Sequence, residues 1–494
     1  MRGVAIALGA LVLGGCAPPA GPPPRCAEAW REVPAPRRTY DFTTDEERTA
    51  RGNEGYARFA DRLPRRGCVK AWTVLVYMAA DAEDLGAPSL RDLRSIEDAS
   101  AGAASTEEAD VIVEIDRRAP AGLLRMHLFR APSPSPLGAR SPIVEALPEP
   151  EAKPEEALGR FLAWGMERYP AERYAVIVWG HGLGYRPRGA PAARWDRAGT
   201  SGGIAFDESQ GTVIDTDGLR DALASASRAH HGGKPIDLYA SDACLMQSIE
   251  VAGELASAAR YVIGSEQIEE DYVGLPYRTW LPMLNGTAKL APSPRCARGD
   301  VACDAAAAIA PAMRDELART GAAAPGLTLS ALDEAAVRAD LVPSLRALGA
   351  AIEVYLGEDD LRRIALSVLL GAERGPTRGT PSFRGGTRDV GVLLDRLEAA
   401  VKRQARTPPS AAEAALLDAV ASARAALGRA VIGAAIGARF EAPGHEGMAG
   451  VSLWLPRDAE ETRARAGFFA PSVLHRGSPS FRGFLDKLWA PPPS

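Results

Sequence analysis

No stretch of this sequence is both long and apolar enough to cross a bilayer. Its Ala-rich segments are interrupted by charge, and the apolar run from Val4 to Leu13 is too short for a mature span. An excess of positive charge is also missing. With a formal charge of −5 and an isoelectric point near 5.9, the chain gives no electrostatic reason to expect a nucleic-acid partner. There is no Walker-type glycine loop to cradle phosphate, no EF-hand spacing and no internal repeat. His230-His231 has no carboxylate at ligand spacing and reads as a solvated helix end, so no metal centre is assigned. What is present is an ordinary globular composition, 46% hydrophobic over 494 residues, which supports a sizeable core and two or three compact units.

The first residues carry their own signal. Arg2, the apolar run and then Leu13-Gly14-Gly15-Cys16 resemble the lipobox of bacterial lipoprotein signal peptides. That resemblance implies cleavage before Cys16, lipid on Cys16 and export to the bacterial cell envelope, with the membrane as a partner. Ala17 after the cysteine fits outer-membrane sorting. Of the six cysteines, Cys16 goes to lipid and Cys244 to chemistry. The other four pair most simply by proximity in sequence, Cys26 with Cys68 and Cys296 with Cys303, as an exported chain permits.

Residues 16–70 are rich in Pro, Arg and Glu without a sustained period, and read as tether and lead-in after a signal peptide at 1–15. From there the chain alternates. Trp72 to Met78, Val111 to Ile115, Tyr174 to Trp179, Ile236 to Ala240 and Tyr261 to Ser265 are apolar runs of strands buried on both faces. Helical patterns separate them at Asp84 to Ser100, Ala157 to Arg168, Thr216 to Arg228 and Leu245 to Ser257. Leu123 to Phe129 suits an edge strand. This order predicts an α/β core over 71–285 with a mostly parallel sheet covered by helices on both faces. Residues 286–494 mix helices with strand-like pieces at Leu327 to Leu332, Val431 to Ile436 and Val451 to Leu455, a C-terminal α+β region.

Two strand ends carry reactive side chains. Val176-Ile177-Val178-Trp179-Gly180-His181-Gly182 puts His181 just past the carboxyl end of a buried strand, the edge where open parallel sheets form sites. Ile236 to Ala240, followed by Ser241-Asp242-Ala243-Cys244, puts a cysteine at the same edge. A helix beginning there would stabilise its thiolate. Either residue alone has an ordinary structural explanation. Together they make a nucleophile with a general acid/base.

Trp-Gly-His-Gly-x-Gly at 179–184 and Asp-Ala-Cys-Leu-Met at 242–246, with Glu250 downstream, resemble the clostripain family of cysteine peptidases. Val76 to Asp81, Gly203 to Asp207 and Gly264-Ser265-Glu266 extend the likeness, which is strong over Trp72 to Tyr277 and diffuse beyond. The resemblance implies a caspase-like fold and an endopeptidase acting on peptides or proteins, with His181 and Cys244 as catalytic dyad. It also implies an oxyanion site from the backbone N–H groups of Gly182 and Cys244. It points to cleavage after basic residues, arginine above all, with Asp242 and Asp271 in the substrate pocket. Asp242 as a cap on the helix at Ala243 is an equal alternative. Where the family commonly has Trp, this chain has Leu275, which changes the pocket's shape.

The chemistry requires no cofactor. Some members of the family depend on Ca2+, and Asp207, Asp215 and Asp217 are the oxygen ligands this sequence offers, although a polar loop explains them as well. Between His181 and Cys244 the exposed Arg-rich loop suggests self-cleavage after Arg194 or Arg197, weighed evenly against an uncut loop. Two other functions stay open on sequence alone: a silent surface lipoprotein that uses the fold for binding, and a cysteine transferase or amidase acting on cell-wall peptides.

Overall fold

The computed structural model describes residues 69–98, 100–118, 122–130, 141, 143–148, 153–191, 201–269, 274–321, 325–357, 386–404, 407–438 and 447–489. Cys16, Cys26, Cys68, Arg194, Arg197 and Asp271 lie outside them.

Five strands form the parallel heart of the sheet: β1 (Lys70–Ala80), β2 (Ala109–Arg117), β5 (Ala171–Trp179), β8 (Ile236–Asp242) and β9 (Ala259–Gly264). Their central stretches are mostly apolar because both faces are covered, with buried charged residues such as Lys70, Asp110 and Glu114 among them. Along β1, Leu75, Tyr77 and Ala79 enter one core while Trp72, Val74, Val76 and Met78 enter the other. The first core is closed by α2 (Pro154–Arg168), α3 (Thr216–His230) and α4 (Ile249–Leu255). The second is closed by α1 (Gly86–Glu97), α5 (Tyr277–Leu284), α6 (Val301–Ala307) and α7 (Ile309–Thr320). Helices thus lie on both faces, as the alternating pattern predicts.

Antiparallel strands finish both edges. On one side β2 pairs with β3 (Gly122–His127), which pairs with β4 (Ile143–Leu147). On the other, β9 pairs with β10 (Thr328–Asp333), which pairs with β12 (Val431–Ile436), so chain beyond residue 286 completes the nine-stranded sheet. A hairpin of β6 (Ile204–Asp207) and β7 (Thr212–Ile214) and a pair of β11 (Thr387–Asp389) and β13 (Ser452–Trp454) stand off it. The remaining described helices longer than five residues are α8 (Val342–Leu356), α9 (Val390–Gln404), α10 (Ala411–Ala430), α11 (Ala459–Phe469) and α12 (Pro479–Leu488). Cys296 and Cys303 are joined by a disulfide just before and within α6. Among the described residues no helix is long and apolar enough to cross a membrane.

Candidate active site

β1, β5 and β8 lie side by side: Met78 pairs with Trp179, and β5 and β8 end level at the pair Trp179 and Asp242. The Gly180 N–H donates to the Asp242 carbonyl at 3.1 Å. His181 and Cys244 each stand two residues past that registered pair. Register therefore brings them to one point of the carboxyl edge.

The backbone on each side is fixed at close quarters. Gly180 has φ +147, and a Cβ there would stand 3.0 Å from the Ala79 carbonyl oxygen. A Cβ on Gly182 would meet the Cys244 carbonyl oxygen at 2.4 Å, so only glycine lets the histidine loop touch the cysteine turn. The β6–β7 hairpin clamps the loop from outside: the Ala205 N–H donates to the His181 carbonyl at 3.0 Å, and the Leu183 N–H to the Gly203 carbonyl at 2.9 Å. On the other side Leu245 adopts φ +65, uncommon for a bulky residue and a sign of strain directly after Cys244. Its N–H donates to the Gln267 carbonyl at 3.1 Å, and that of Gln247 to Ser265 at 2.9 Å.

Those bonds overturn one expectation. No helix begins at Leu245; the loop bonds claim its backbone, and α4 starts at Ile249, capped by the Ser248 hydroxyl. Cys244 stands several residues outside a helix of only seven. The thiolate is accordingly not favoured: burial, with the charge of Glu269 added, pushes the Cys244 thiol up to about 12. The Glu269 N–H donates to the sulfur at 3.3 Å, a smaller opposing effect.

His181 is buried, and its Nε2 lies 2.9 Å from Asp84 Oδ1. Asp84 follows β1 at the same sheet edge, which is the signal sequence reasoning passed over when it named no third residue.

Asp242 is buried and, with no helix at Ala243, caps none. One carboxylate oxygen accepts the Leu275 N–H at 2.9 Å and the other the Tyr277 hydroxyl at 2.6 Å. Burial and then the charge of Asp92 push it up to about 7. Burial pushes Asp92 to about 6, although it accepts the Trp179 indole N–H at 2.9 Å. Burial, followed by the charges of Asp242 and Asp92, holds Glu269 well above the usual carboxylate range. Three carboxyl groups thus gather, of which Glu269 and Asp242 act on Cys244, and the sequence singles out one of the three. Asp92, Gly274, Leu275 and Tyr277 line an adjoining cavity of about 440 Å3. Leu275 lines that cavity and tethers Asp242.

The calcium ligands do not come together. Asp207 accepts from Ser209 and Gln210, Asp215 caps α3 through Gly218, and Asp217 pairs with Arg220. Among the described residues no three His, Cys, Asp or Glu side chains converge as a metal site. His231 packs on Tyr174 and pairs with Asp237.

A parallel α/β sheet with cysteine and histidine at adjacent strand ends is the arrangement of a caspase-like cysteine peptidase. The family model described as the clostripain family matches residues 76–352, more than half of the 494-residue chain. The chain belongs to the clostripain family, a family of cysteine peptidases. It is 34% identical to clostripain of Hathewaya histolytica over 99 residues, 20% of this chain and 17% of that protein. The chain therefore spans about a sixth of the length of that curated relative. Among solved structures it is similar to a secreted C11 cysteine protease from Bacteroides thetaiotaomicron in complex with an irreversible peptide inhibitor. There the TM-score is 0.50 and the identity 19%, covering 82% of this chain and 98% of that one. An inactive zymogen C11 protease from Parabacteroides distasonis gives a TM-score of 0.52 at 18% identity, covering 85% of this chain and 99% of that one.

Proposed function

We propose that this protein is a cysteine endopeptidase in which Cys244 is the nucleophile and His181 its acid/base partner. The observation that supports this reading is the register of β5 with β8, which puts His181 and Cys244 each two residues past one pair at the carboxyl edge of the sheet. Cys244 is a neutral thiol at rest, because burial disfavours its charged form. His181 takes the thiol proton as the sulfur attacks the scissile carbonyl. It then gives that proton to the leaving amine, and in the second half draws one from water as the thioester is hydrolysed. Asp84 is a positioning residue: it fixes the ring and stabilises the imidazolium while it lasts. The backbone N–H groups of Gly182 and Cys244 receive the oxyanion, a role favoured by the close approach of those two residues.

For the side chain before the scissile bond, the ionised fraction of Asp242 and Asp92 favours a cation, against the opposing charge of Arg91, Arg94, Arg278 and Arg319 in the wall of the cavity that Asp92 lines. Asp271 and self-cleavage after Arg194 or Arg197 belong to the same reading. The lipobox-like start supports export with a lipid on Cys16.

The test is a peptide library incubated with the full chain and with Cys244→Ala, read by mass spectrometry. Cleavage after arginine and lysine by the wild type alone is expected. Cleavage by both proteins, or by neither, overturns the assignment.

A further inference from the structure

The chain departs from the His181 loop through Arg186 and returns to it from Ser201, and the returning stretch clamps the loop. The Leu183 N–H donates to the Gly203 carbonyl at 2.9 Å, the Gly203 N–H to the Gly184 carbonyl at 2.8 Å and the Ala205 N–H to the His181 carbonyl at 3.0 Å. The two stretches run close together. A Cβ on Gly202 would collide with the Tyr185 carbonyl oxygen, and one on Gly203 would stand 3.0 Å from Arg186 Cδ.

One side chain bonds to both stretches. Arg186 is buried, at 6% exposure, and burial works against its charge, while the Asp215 carboxylate supports it. The hydrogen bonds of the guanidinium go to carbonyl oxygens. Nη1 donates to Ser201 on the returning side at 2.6 Å; Nη2 donates to Ala190 at 3.2 Å and to Pro191 on the departing side. Such charge-assisted bonds are about twice as strong as neutral ones, and the rigid guanidinium fork sets their directions. The backbone of Arg186 is anchored in turn. Its N–H donates to the Thr216 hydroxyl at 3.0 Å and its carbonyl accepts the Thr216 N–H at 3.0 Å, at the first residue of α3. Arg186 therefore ties together, on α3, the two ends that flank residues 192–200, which lie outside the described residues.

While the chain is continuous, the covalent connection itself keeps Ser201 close to Pro191. A cut between them would make Ser201 part of a chain end, and chain ends fray unless they are tied down. Ser201 stands four residues before Ala205, so fraying over that distance would release the bond to the His181 carbonyl.

We propose that Arg186 is a positioning residue that keeps the His181 loop in place when the chain is cut between Pro191 and Ser201, by holding the carbonyls of both flanking ends at once. Its effect on catalysis rests on the reading of His181 as acid/base partner; the tie itself does not.

The test uses the full chain with Cys244→Ala, which prevents self-cleavage, and with a tobacco etch virus protease site inserted after Ala193. Proteins with Arg186 and with Arg186→Gln are compared, uncut and cut, by hydrogen–deuterium exchange over residues 201–206. Arg186→Lys, which keeps the buried charge without the fork, replaces the glutamine variant if that fails to fold. Cutting is expected to speed exchange less than about threefold with Arg186 and at least about tenfold without it. With Cys244 restored, the cut variant should turn over an arginyl peptide about tenfold more slowly than the cut parent, in kcat with KM little changed. The proposal falls if cutting speeds exchange equally with and without Arg186, or if the two cut enzymes share one kcat. Exchange that follows Arg186 in proteins that cleave no peptide at all would uphold the tie and reject the Cys244–His181 reading instead.

Discussion

Cys244 presents a thiol that its surroundings keep protonated, and this decides how the residue reacts. A preformed thiolate–imidazolium pair would ionise well below neutral pH. Here burial pushes the thiol the other way, to about 12. The rate of alkylation by iodoacetamide in the free enzyme should therefore climb through pH 9 and beyond. A plateau already reached near neutrality would show a preformed ion pair. Asp242 gives a second pH signature. Its carboxyl is raised from 3.8 to about 7, so below pH 7 it is mostly neutral and offers little to a guanidinium. Selectivity for arginine over an uncharged residue should accordingly rise with pH through about 7, and Asp242→Asn should flatten that rise. Selectivity independent of pH would remove Asp242 from the pocket. The linkage has a cost: a carboxyl with a raised folded pKa contributes stability below its unfolded value that is lost as pH climbs toward 7.

The elements that matter most are the two turns beyond β5 and β8. Gly182→Ala would drive a Cβ into the Cys244 carbonyl oxygen. Overpacking of this kind costs about 1–3 kcal/mol, and a displacement near 1 Å at a reacting group costs about a hundredfold in rate. We expect a folded protein with kcat lowered to that degree, checked by circular dichroism and peptide turnover. Near-normal turnover would mean that the two loops do not need their present spacing. Both turns were legible in the sequence, because buried strands ending in Gly-His-Gly and Asp-Ala-Cys announce a shared sheet edge. The helix start at Leu245 was misread for a local reason. Leu245-Met246-Gln247 has helical composition, but the Gln267 and Ser265 carbonyls take its backbone bonds. Asp84, Asp92 and Glu269 were missed because their meeting depends on loops and on α1, and no spacing along the chain encodes it. β4 and α9 were missed as well: Ile143–Leu147 is short and half-covered, and the apolar face of Val390–Gln404 is legible only against α10.

At the scale of the whole molecule, the C-terminal half braces the site. Ser452 N–H donates to the Gln247 carbonyl at 3.0 Å, and Trp454 N–H to Glu250 Oε1 at 2.8 Å. The Gln247 side chain reaches Ser330, whose hydroxyl donates to the Gly450 carbonyl at 2.6 Å. Glu266, directly after β9 and Ser265, meets Asp389 of β11 in the interior. Burial raises both, and the charge of Asp389 raises Glu266 further, so Glu266 keeps the proton. Its folded pKa lies well above 4.5, so its contribution to stability is present below that value and shrinks as pH rises. Glu266→Gln keeps a neutral group of similar shape, so the variant should gain in melting temperature relative to wild type between pH 5 and pH 8. A relative loss over that range would show an ionised, paired Glu266.

The central claim, that Cys244 acts as nucleophile with His181, is tested most directly by covalent trapping at the active site. The full chain, Cys244→Ala and His181→Ala are each incubated with a peptidyl chloromethyl ketone ending in arginine, and intact mass with peptide mapping locates the adduct. One adduct per wild-type chain is expected, on Cys244, with none on Cys244→Ala and labelling slowed about a hundredfold in His181→Ala. An adduct on another residue, or equal labelling of wild type and His181→Ala, would contradict it.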